Sequence, residues 1–228
     1  MSKTPWVKIC CISSVAEAAL AVLHNVNALG LVSSMPSGPG VIDLKTIQQI
    51  AATVPPHVET VLLTSETRFH GIAEQVEFTA VRTLQLVDDV DSSVRQQLRT
   101  AFPLLRILQV IHVVDNASVQ HALHQAQDAS VDGLLLDSGN PQLAVKELGG
   151  TGRTHNWELS QRIVQGSRVP VILAGGLNAA NVRDALGRVG PAGLDICSGV
   201  RSKGALDPAK LAAFCDAAGV TAGSPLRE

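Results

Sequence analysis

The sequence predicts an α/β fold in which eight parallel strands close into a (β/α)8 TIM barrel with the helices outside. Three observations lead to this prediction. Short apolar stretches alternate with helical stretches along the whole chain, and eight such pairs can be counted. The strands are apolar on both faces, which is typical of a parallel sheet covered by helices. Eight units in roughly 220 residues fit one closed barrel, whereas an open doubly wound sheet of this count would need two domains or insertions.

Each predicted strand is a short apolar run that ends in a loop leading to a helix. The strands are residues 5–12, 28–33, 59–65, 83–87, 105–114, 133–138, 169–176 and 193–199. The helices are residues 14–26, 44–54, 68–79, 91–102, 117–129, 157–165, 179–188 and a last one after Asp207. Ser13 or Ser14 caps the first helix, and Asp43 caps the second, which ends at Pro55 and Pro56.

Composition excludes several classes of function. With 228 residues, 46% of them hydrophobic, the chain is long enough for one large core. The net charge of -2 and the scattered basic residues argue against nucleic acid or an anionic membrane as a partner. The chain has no membrane-spanning run and no signal-peptide core, so we expect a cytoplasmic protein. Residues 1–219 should form a single domain and 220–228 a loose tail, while a monomer and a homodimer both stay open.

The stretch 134–157 is the first candidate for chemistry. Asp137 follows three leucines, so it should lie at the end of a buried strand, where desolvation raises the pKa of a carboxyl group. Such a group can act as a general acid near neutral pH, or it can simply bond loop amides. The long loop that follows favours the first alternative, because Gly149, Gly150 and Gly152 permit close approach to a ligand.

The first strand carries a second candidate. Side chains alternate along a strand, so Lys8 and Cys10 should point to one side and Cys11 to the other, against a helix. If the first side is the barrel interior, the ammonium of Lys8 favours the Cys10 thiolate, which can act as a base or nucleophile. Alternatively, Cys10 is a small core residue. The four cysteines show neither a disulfide framework nor a metal-binding spacing, so we expect reduced thiols.

The loops after the seventh and eighth strands predict a phosphate site. They read A-G-G-L-N-A-A-N-V and C-S-G-V, and loops at these positions often bind phosphate in this fold through backbone N–H groups. The predicted donors are Gly175, Gly176, Ser198 and Gly199, which could otherwise be ordinary turn residues. His112, in the fifth strand, is a weaker candidate for a substrate contact.

Together these motifs resemble those of the phosphoribosylanthranilate isomerase family. The matching segments are V-K-I-C at 7–10, L-L-D at 135–137, G-G-T-G-R-T-H-N-W at 149–157, L-A-G-G-L-N-A-A-N-V at 173–182 and D-I-C-S-G-V at 195–200. They occur in the right order over nearly the whole chain. The glycine loop and the A-G-G-L-N segment are specific to that family rather than to barrels in general.

The resemblance implies an isomerase, formally an intramolecular oxidoreductase of the aldose–ketose type, in tryptophan biosynthesis. It would convert N-(5-phosphoribosyl)anthranilate to 1-(o-carboxyphenylamino)-1-deoxyribulose 5-phosphate by an Amadori rearrangement, with no metal or organic cofactor. Asp137 would be the acid that opens the sugar ring, and Cys10 the base that removes the C2 proton. The expected substrate contacts are Lys8, Gln85, Gly150, Gly152 and Asp195.

The chain departs from the family where the anthranilate should bind. After the second strand the family has S-P-R, whose arginine holds the anthranilate carboxylate, but this chain has Gly40 there. The histidine of the family's Q-L-H-G is Val87, K-I-C-G has become K-I-C-C, and the glutamate after S-G-V is Arg201. A bidentate arginine contact is typically worth a few kcal/mol. Candidates to replace it are Arg68, Arg82 and Arg201.

Two alternatives to the isomerase therefore stay open. One is a related sugar-phosphate isomerase or epimerase that keeps the acid, the base and the phosphate site but takes a different aglycone. The other is a non-catalytic barrel that binds a phosphorylated metabolite, although the presence of both Cys10 and Asp137 argues against it.

Overall fold

A computed structural model describes residues 4–139 and 154–220, and it confirms the predicted barrel. Eight parallel strands pair in chain order, and the eighth returns to the first. The strands are β1 (Trp6–Ile9), β2 (Ala28–Val32), β3 (Glu59–Thr64), β4 (Thr83–Leu86), β5 (Arg106–His112), β6 (Gly133–Asp137), β7 (Val171–Leu173) and β8 (Gly193–Ile196). The helices are α1 (Val15–Leu23), α2 (Leu44–Thr53), α3 (Phe69–Thr79), α4 (Ser92–Ala101), α5 (Asn116–Gln125), α6 (Trp157–Gly166), α7 (Val182–Val189) and α8 (Pro208–Ala218).

The helix starts follow from side-chain caps. Ser14 Oγ accepts from the Glu17 N–H at 3.2 Å, so Ser14 rather than Ser13 caps α1. Asp43 accepts from the Thr46 N–H at 2.7 Å and caps α2, as predicted. These bonds satisfy amides that have no partner inside the helix.

Several strands end earlier than the sequence pattern suggests. β1 stops at Ile9 instead of residue 12, and β7 covers only Val171–Leu173. The residues that follow leave regular strand conformation, and some of them have positive φ, including Cys11 and Gly175. They are the residues that form the mouth of the barrel.

The connection from β8 to α8 contains elements that were not predicted. A 3-10 turn at Ser198–Val200 leads into a small antiparallel hairpin, β9 (Arg201–Ser202) and β10 (Ala205–Leu206). The hairpin brings the Leu206 N–H onto the Glu17 carboxylate, 2.8 Å from Oε1. This contact ties the last loop of the barrel to the first helix.

The apolar side chains form two layers. Val7 and Ile9 belong to the large layer between strands and helices, whereas Ala28, Val61 and Leu108 belong to a smaller cluster inside the barrel. The barrel is therefore filled below its mouth, as is usual for this architecture.

Two further predictions concern a membrane span and the C-terminal tail. No helix within residues 4–139 and 154–220 is long and apolar enough to cross a membrane. Residues 221–228 of the predicted tail lie outside the described residues, so that prediction stays a prediction.

Candidate active site

A cavity of about 650 Å³, counting the part open to solvent, lies at the carboxyl ends of the strands. Most of the predicted site residues line it together: Cys10, Gln85, Asp137, Gly175, Gly176, Asp195 and Ser198. Gly150 and Gly152, also predicted to contact the substrate, lie outside the described residues.

Asp137 is the last residue of β6, and it is buried against the cavity. Burial is the main cause that raises the pKa of this carboxyl group, and the nearby Asp195 carboxylate adds to the effect. A hydrogen bond of 2.7 Å from the Ser138 N–H to Oδ1 opposes the rise without cancelling it. The protonated form is therefore favoured, which is the form a general acid needs.

Cys10 and Lys8 share one side of β1, as the alternation predicted. A Cβ added to Gly30 on the neighbouring strand would lie 3.0 Å from both Cys10 Sγ and Lys8 Nζ. Only a glycine leaves room there for the two side chains. The thiol and the ammonium therefore occupy the same corner of the barrel interior.

Lys8 lies beneath the cavity wall and is fully buried, so the structure does not place it on the surface that a substrate would meet. Its Nζ is 2.8 Å from Asp195 Oδ1, at ion-pair distance although without hydrogen-bond alignment. Burial alone would lower the pKa of Lys8, but Asp195 and Cys10 raise it above its usual value. Lys8 therefore carries a permanent positive charge beneath Cys10 and Asp195.

The loops after β7 and β8 pack closely at the predicted phosphate site. Gly175 and Gly176 have φ of 82° and 63°, a region that glycine adopts without strain. Gly199 does not line the cavity, but a Cβ there would lie 2.0 Å from the Leu177 carbonyl oxygen. Within the described parts of the chain, no backbone hydrogen bond uses the N–H groups of Gly175, Gly176 or Ser198. These groups are available to a ligand.

Gln85 contributes a polar group to the cavity wall. Its side chain is only 3% exposed, and its Oε1 accepts no hydrogen bond from the residues that the structure describes. A buried acceptor without a partner costs free energy unless a ligand or water satisfies it. This oxygen is therefore suited to accept a hydrogen bond from a substrate hydroxyl group.

The prediction for Cys11 was wrong. Cys11 does not point outward against a helix but lines the cavity beside Cys10. The reason is that β1 ends at Ile9 and that Cys11 adopts φ of 63°, so strand alternation no longer applies to it. Its Sγ lies 2.8 Å from Sγ of Cys197, which follows β8. The sequence contained a signal for this backbone conformation, because the family motif has glycine where K-I-C-C has its second cysteine.

Comparison with known proteins now decides the family. Residues 7–217 match the family model described as N-(5'phosphoribosyl)anthranilate (PRA) isomerase. The chain belongs to this family. The predictions of the family, of an isomerase activity and of the reaction type are therefore confirmed.

Individual members of the phosphoribosylanthranilate isomerase family agree with this assignment. N-(5'-phosphoribosyl)anthranilate isomerase 2 of Methanosarcina mazei is 35% identical over 212 residues, covering 91% of each chain. The isomerase of Thermosynechococcus vestitus is 32% identical over 221 residues, covering 96% of this chain and 92% of the relative. The solved isomerase of Pyrococcus furiosus superposes with a TM-score of 0.80 at 25% identity, over 95% of this chain and all of that chain.

Two of the departures from the family motifs, Gly40 after β2 and Val87 after β4, lie on one side of the mouth. Cys10, Asp137, Gly175, Gly176 and Ser198, from β1 and β6 to β8, form what we call the polar half of the cavity. The apolar half, from β2 to β4, consists of Val32, Met35, Pro39, Leu63 and Val87. No arginine or lysine within the described residues lines the cavity.

None of the candidates to replace the family's arginine reaches the apolar half. Arg68 is exposed and pairs with Glu66 at 2.9 Å. Arg82 lines a separate groove at the amino ends of the strands. Arg201 pairs with Glu17 at 2.9 Å and donates to the backbone carbonyls of Cys10 and Cys11.

Two histidines flank the site without lining the cavity. His112 Nε2 lies 3.2 Å from the Val87 carbonyl oxygen, and His112 pairs with Asp137 in the sheet register. His155, which sequence reasoning did not single out, places Nδ1 3.1 Å from where a Cβ of Gly175 would be. Burial lowers the pKa of His155 to about 4, so the ring is neutral at pH 7.

Proposed function

We propose that Asp137 and Cys10 are the acid and the base with which this protein isomerises N-(5'-phosphoribosyl)anthranilate. The observation that carries the proposal is their placement. Asp137 ends β6 and Cys10 follows β1, so they flank the β7 and β8 loops and face one cavity. A sugar phosphate held by those loops would have the carboxyl group on one side and the thiol on the other.

Asp137 begins the reaction in this scheme. Its protonated carboxyl group donates a proton to the ring oxygen of the ribose, so the C1–O bond breaks and a Schiff base forms between C1 and the anthranilate nitrogen. The raised pKa of Asp137 supports this role, because it shifts the carboxyl group toward the protonated form that a general acid needs.

Cys10 completes the rearrangement. Its thiolate removes the proton from C2, and the electron pair moves into the C1–C2 bond while the Schiff-base nitrogen becomes neutral. The resulting enol then tautomerises to the ketone. The buried ammonium of Lys8 lies beside the Cys10 side chain and does not line the cavity, so in this scheme Lys8 is a positioning residue and does not contact the substrate.

The phosphate and the sugar hydroxyl groups would be held by separate groups. Backbone N–H groups of Gly175, Gly176 and Ser198 bind the phosphate, and Gly199 allows the two loops to approach each other. Gln85 Oε1 accepts from a sugar hydroxyl group. We also propose the cytoplasmic location and the small phosphorylated partner that the sequence predicts.

One observation favours a second candidate, an isomerase of a related sugar phosphate with another aglycone. The apolar half of the cavity presents no cation from the described residues to an anthranilate carboxylate. An uncharged aromatic or aliphatic aglycone would fit Val32, Met35 and Val87 without leaving a carboxylate unpaired.

Complementation separates the two candidates. A tryptophan auxotroph that lacks the isomerase should grow without tryptophan when it produces this chain, and should not grow with Cys10→Ser or Asp137→Asn. If the wild-type chain is present as folded protein and still does not rescue growth, the anthranilate substrate is wrong and the second candidate gains support.

A crystal grown in sulfate tests the phosphate site separately. We expect a sulfate ion on the N–H groups of Gly176 and Ser198. An empty mouth at high sulfate concentration would contradict this part of the proposal, whatever the aglycone.

A further inference from the structure

Two thiols that the proposed reaction does not use meet at the mouth of the barrel. Cys11 follows β1 and Cys197 follows β8, and their Sγ atoms are 2.8 Å apart although 186 residues separate them in sequence. A disulfide requires about 2.05 Å between sulfur atoms, so the pair needs only a small movement to close. Both cysteines are reduced in the structure.

The backbone conformation of Cys11 indicates a functional role for its side chain. Cys11 adopts φ of 63°, a left-handed conformation that is unfavourable for a non-glycine residue. Strain of this kind is found where a side chain has to be presented in one direction. Here the direction is toward Cys197.

A second residue makes room for this side chain. A Cβ on Gly40 would lie 2.5 Å from Cys11 Cβ and 3.2 Å from Cys11 Sγ. Any larger residue at position 40 would displace Cys11. The glycine that replaces the family's arginine and the cysteine that replaces its glycine therefore belong to one local rearrangement.

The surroundings of the pair favour oxidation. Both side chains line the cavity, and Cys197 is the partly exposed one, so a small oxidant can reach Cys197 from the cavity. Hydrogen bonding with the Cys11 thiol is the main cause that lowers the pKa of Cys197, and the Arg201 guanidinium adds to it. Cys197 is therefore the thiol that attacks first.

We propose that Cys11 and Cys197 form a reversible disulfide site that glutathione disulfide, or a similar small disulfide, oxidises. The Cys197 thiolate attacks one sulfur of the oxidant, forms a mixed disulfide and releases one glutathione. The Cys11 thiol then loses its proton and attacks the Cys197 sulfur, which releases the second glutathione. The two protein protons end on the two glutathione molecules, and two electrons pass to the oxidant. Cys10 stays reduced.

Peptide mapping tests the site in the full-length chain. After incubation with glutathione disulfide and alkylation of free thiols, trypsin should release residues 9–45 linked to residues 189–201. Two of the four thiols should be lost, and dithiothreitol should restore both. A reduced pair in wild type after equilibration with pure glutathione disulfide would overturn the proposal.

Variants assign the bond, because residues 9–45 contain both Cys10 and Cys11. Cys11→Ser and Cys197→Ser should remove the linked peptides, whereas Cys10→Ser and Cys215→Ser should keep them. Cys11→Gly, which suits the positive φ, should also remove them while retaining the circular dichroism of the wild type. A link that survives in Cys11→Gly or disappears in Cys10→Ser would overturn the assignment.

Discussion

The polar and apolar halves of the cavity are built differently. The polar half uses backbone N–H groups and two short side chains at strand ends, so that β1, β6, β7 and β8 position it directly. The apolar half depends on the loop after β2, where Gly40 packs against Cys11 of the loop after β1. We therefore expect substitutions in the polar half to affect proton transfer and phosphate binding, and substitutions in the loop after β2 to affect recognition of the aglycone.

The largest expected effect is on turnover, and it tests the polar half. Cys10→Ser and Asp137→Asn should each lower kcat about 10²- to 10⁴-fold, the usual contribution of a positioned acid or base. Val87→Ala in the apolar half should mainly change KM. Steady-state kinetics with Cys215→Ser as a folding control checks this. Turnover of either polar-half variant within a few-fold of wild type would show that the two halves were assigned incorrectly.

Phosphate binding should give the next largest effect. Gly199→Ala forces the β7 and β8 loops apart, because the new Cβ would lie 2.0 Å from the Leu177 carbonyl oxygen. Loss of one or two charge-assisted hydrogen bonds, each about 1.5–3 kcal/mol, should raise KM at least 10-fold. Gly187→Ala is the matched control, since a Cβ there meets nothing within 4 Å. Equal KM values for the two variants would argue against a phosphate site on these loops.

A thermodynamic cycle tests the rearrangement beside the apolar half. Gly40→Ala should destabilise the wild type more than a Cys11→Gly background, because the clash with Cys11 Cβ at 2.5 Å is then absent and only the contact with Cα of residue 11 at 2.9 Å remains. We expect a coupling free energy of roughly 0.5–3 kcal/mol from urea unfolding. Gly190→Ala is the control for backbone strain, because Gly190 has a positive φ like Gly40 but a Cβ there meets no atom within 4 Å. Additive free energies would mean that the two substitutions arose independently.

The smallest expected effect is on the thermal stability of the protein, which the buried carboxyl group of Asp137 lowers when it ionises. Burial raises the pKa of Asp137 in the folded state above its ordinary value in the unfolded chain. Ionising Asp137 therefore lowers the stability of the folded state as pH rises from the unfolded-state pKa through the folded-state pKa. Asp137→Asn should therefore unfold at a higher temperature than wild type near pH 8, with a smaller difference near pH 4. Thermal unfolding at both pH values measures this. The kcat of the wild type should also fall at high pH, as the acid loses its proton.

Much of the polar half could be predicted from sequence. Asp137 after three leucines, and Gly175 and Gly176 after another apolar run, are local patterns that any parallel strand end would place at the mouth. Lys8 and Cys10 share a side because two residues separate them on one strand. The alternation did not predict how deeply Lys8 is buried, since Lys8 lies beneath Asp195 and does not line the cavity wall.

The sequence alone therefore predicted the barrel and the positions of Asp137, Cys10, Gly175 and Gly176 at its mouth, because each depends on short-range periodicity or on a strand end. Only the tertiary structure decided the direction of Cys11, its contact with Cys197 and its dependence on Gly40. A single positive φ reverses the side to which a residue points, and contacts between β1 and β8 form only when the barrel closes. Neither effect has a signature in the spacing of nearby residues.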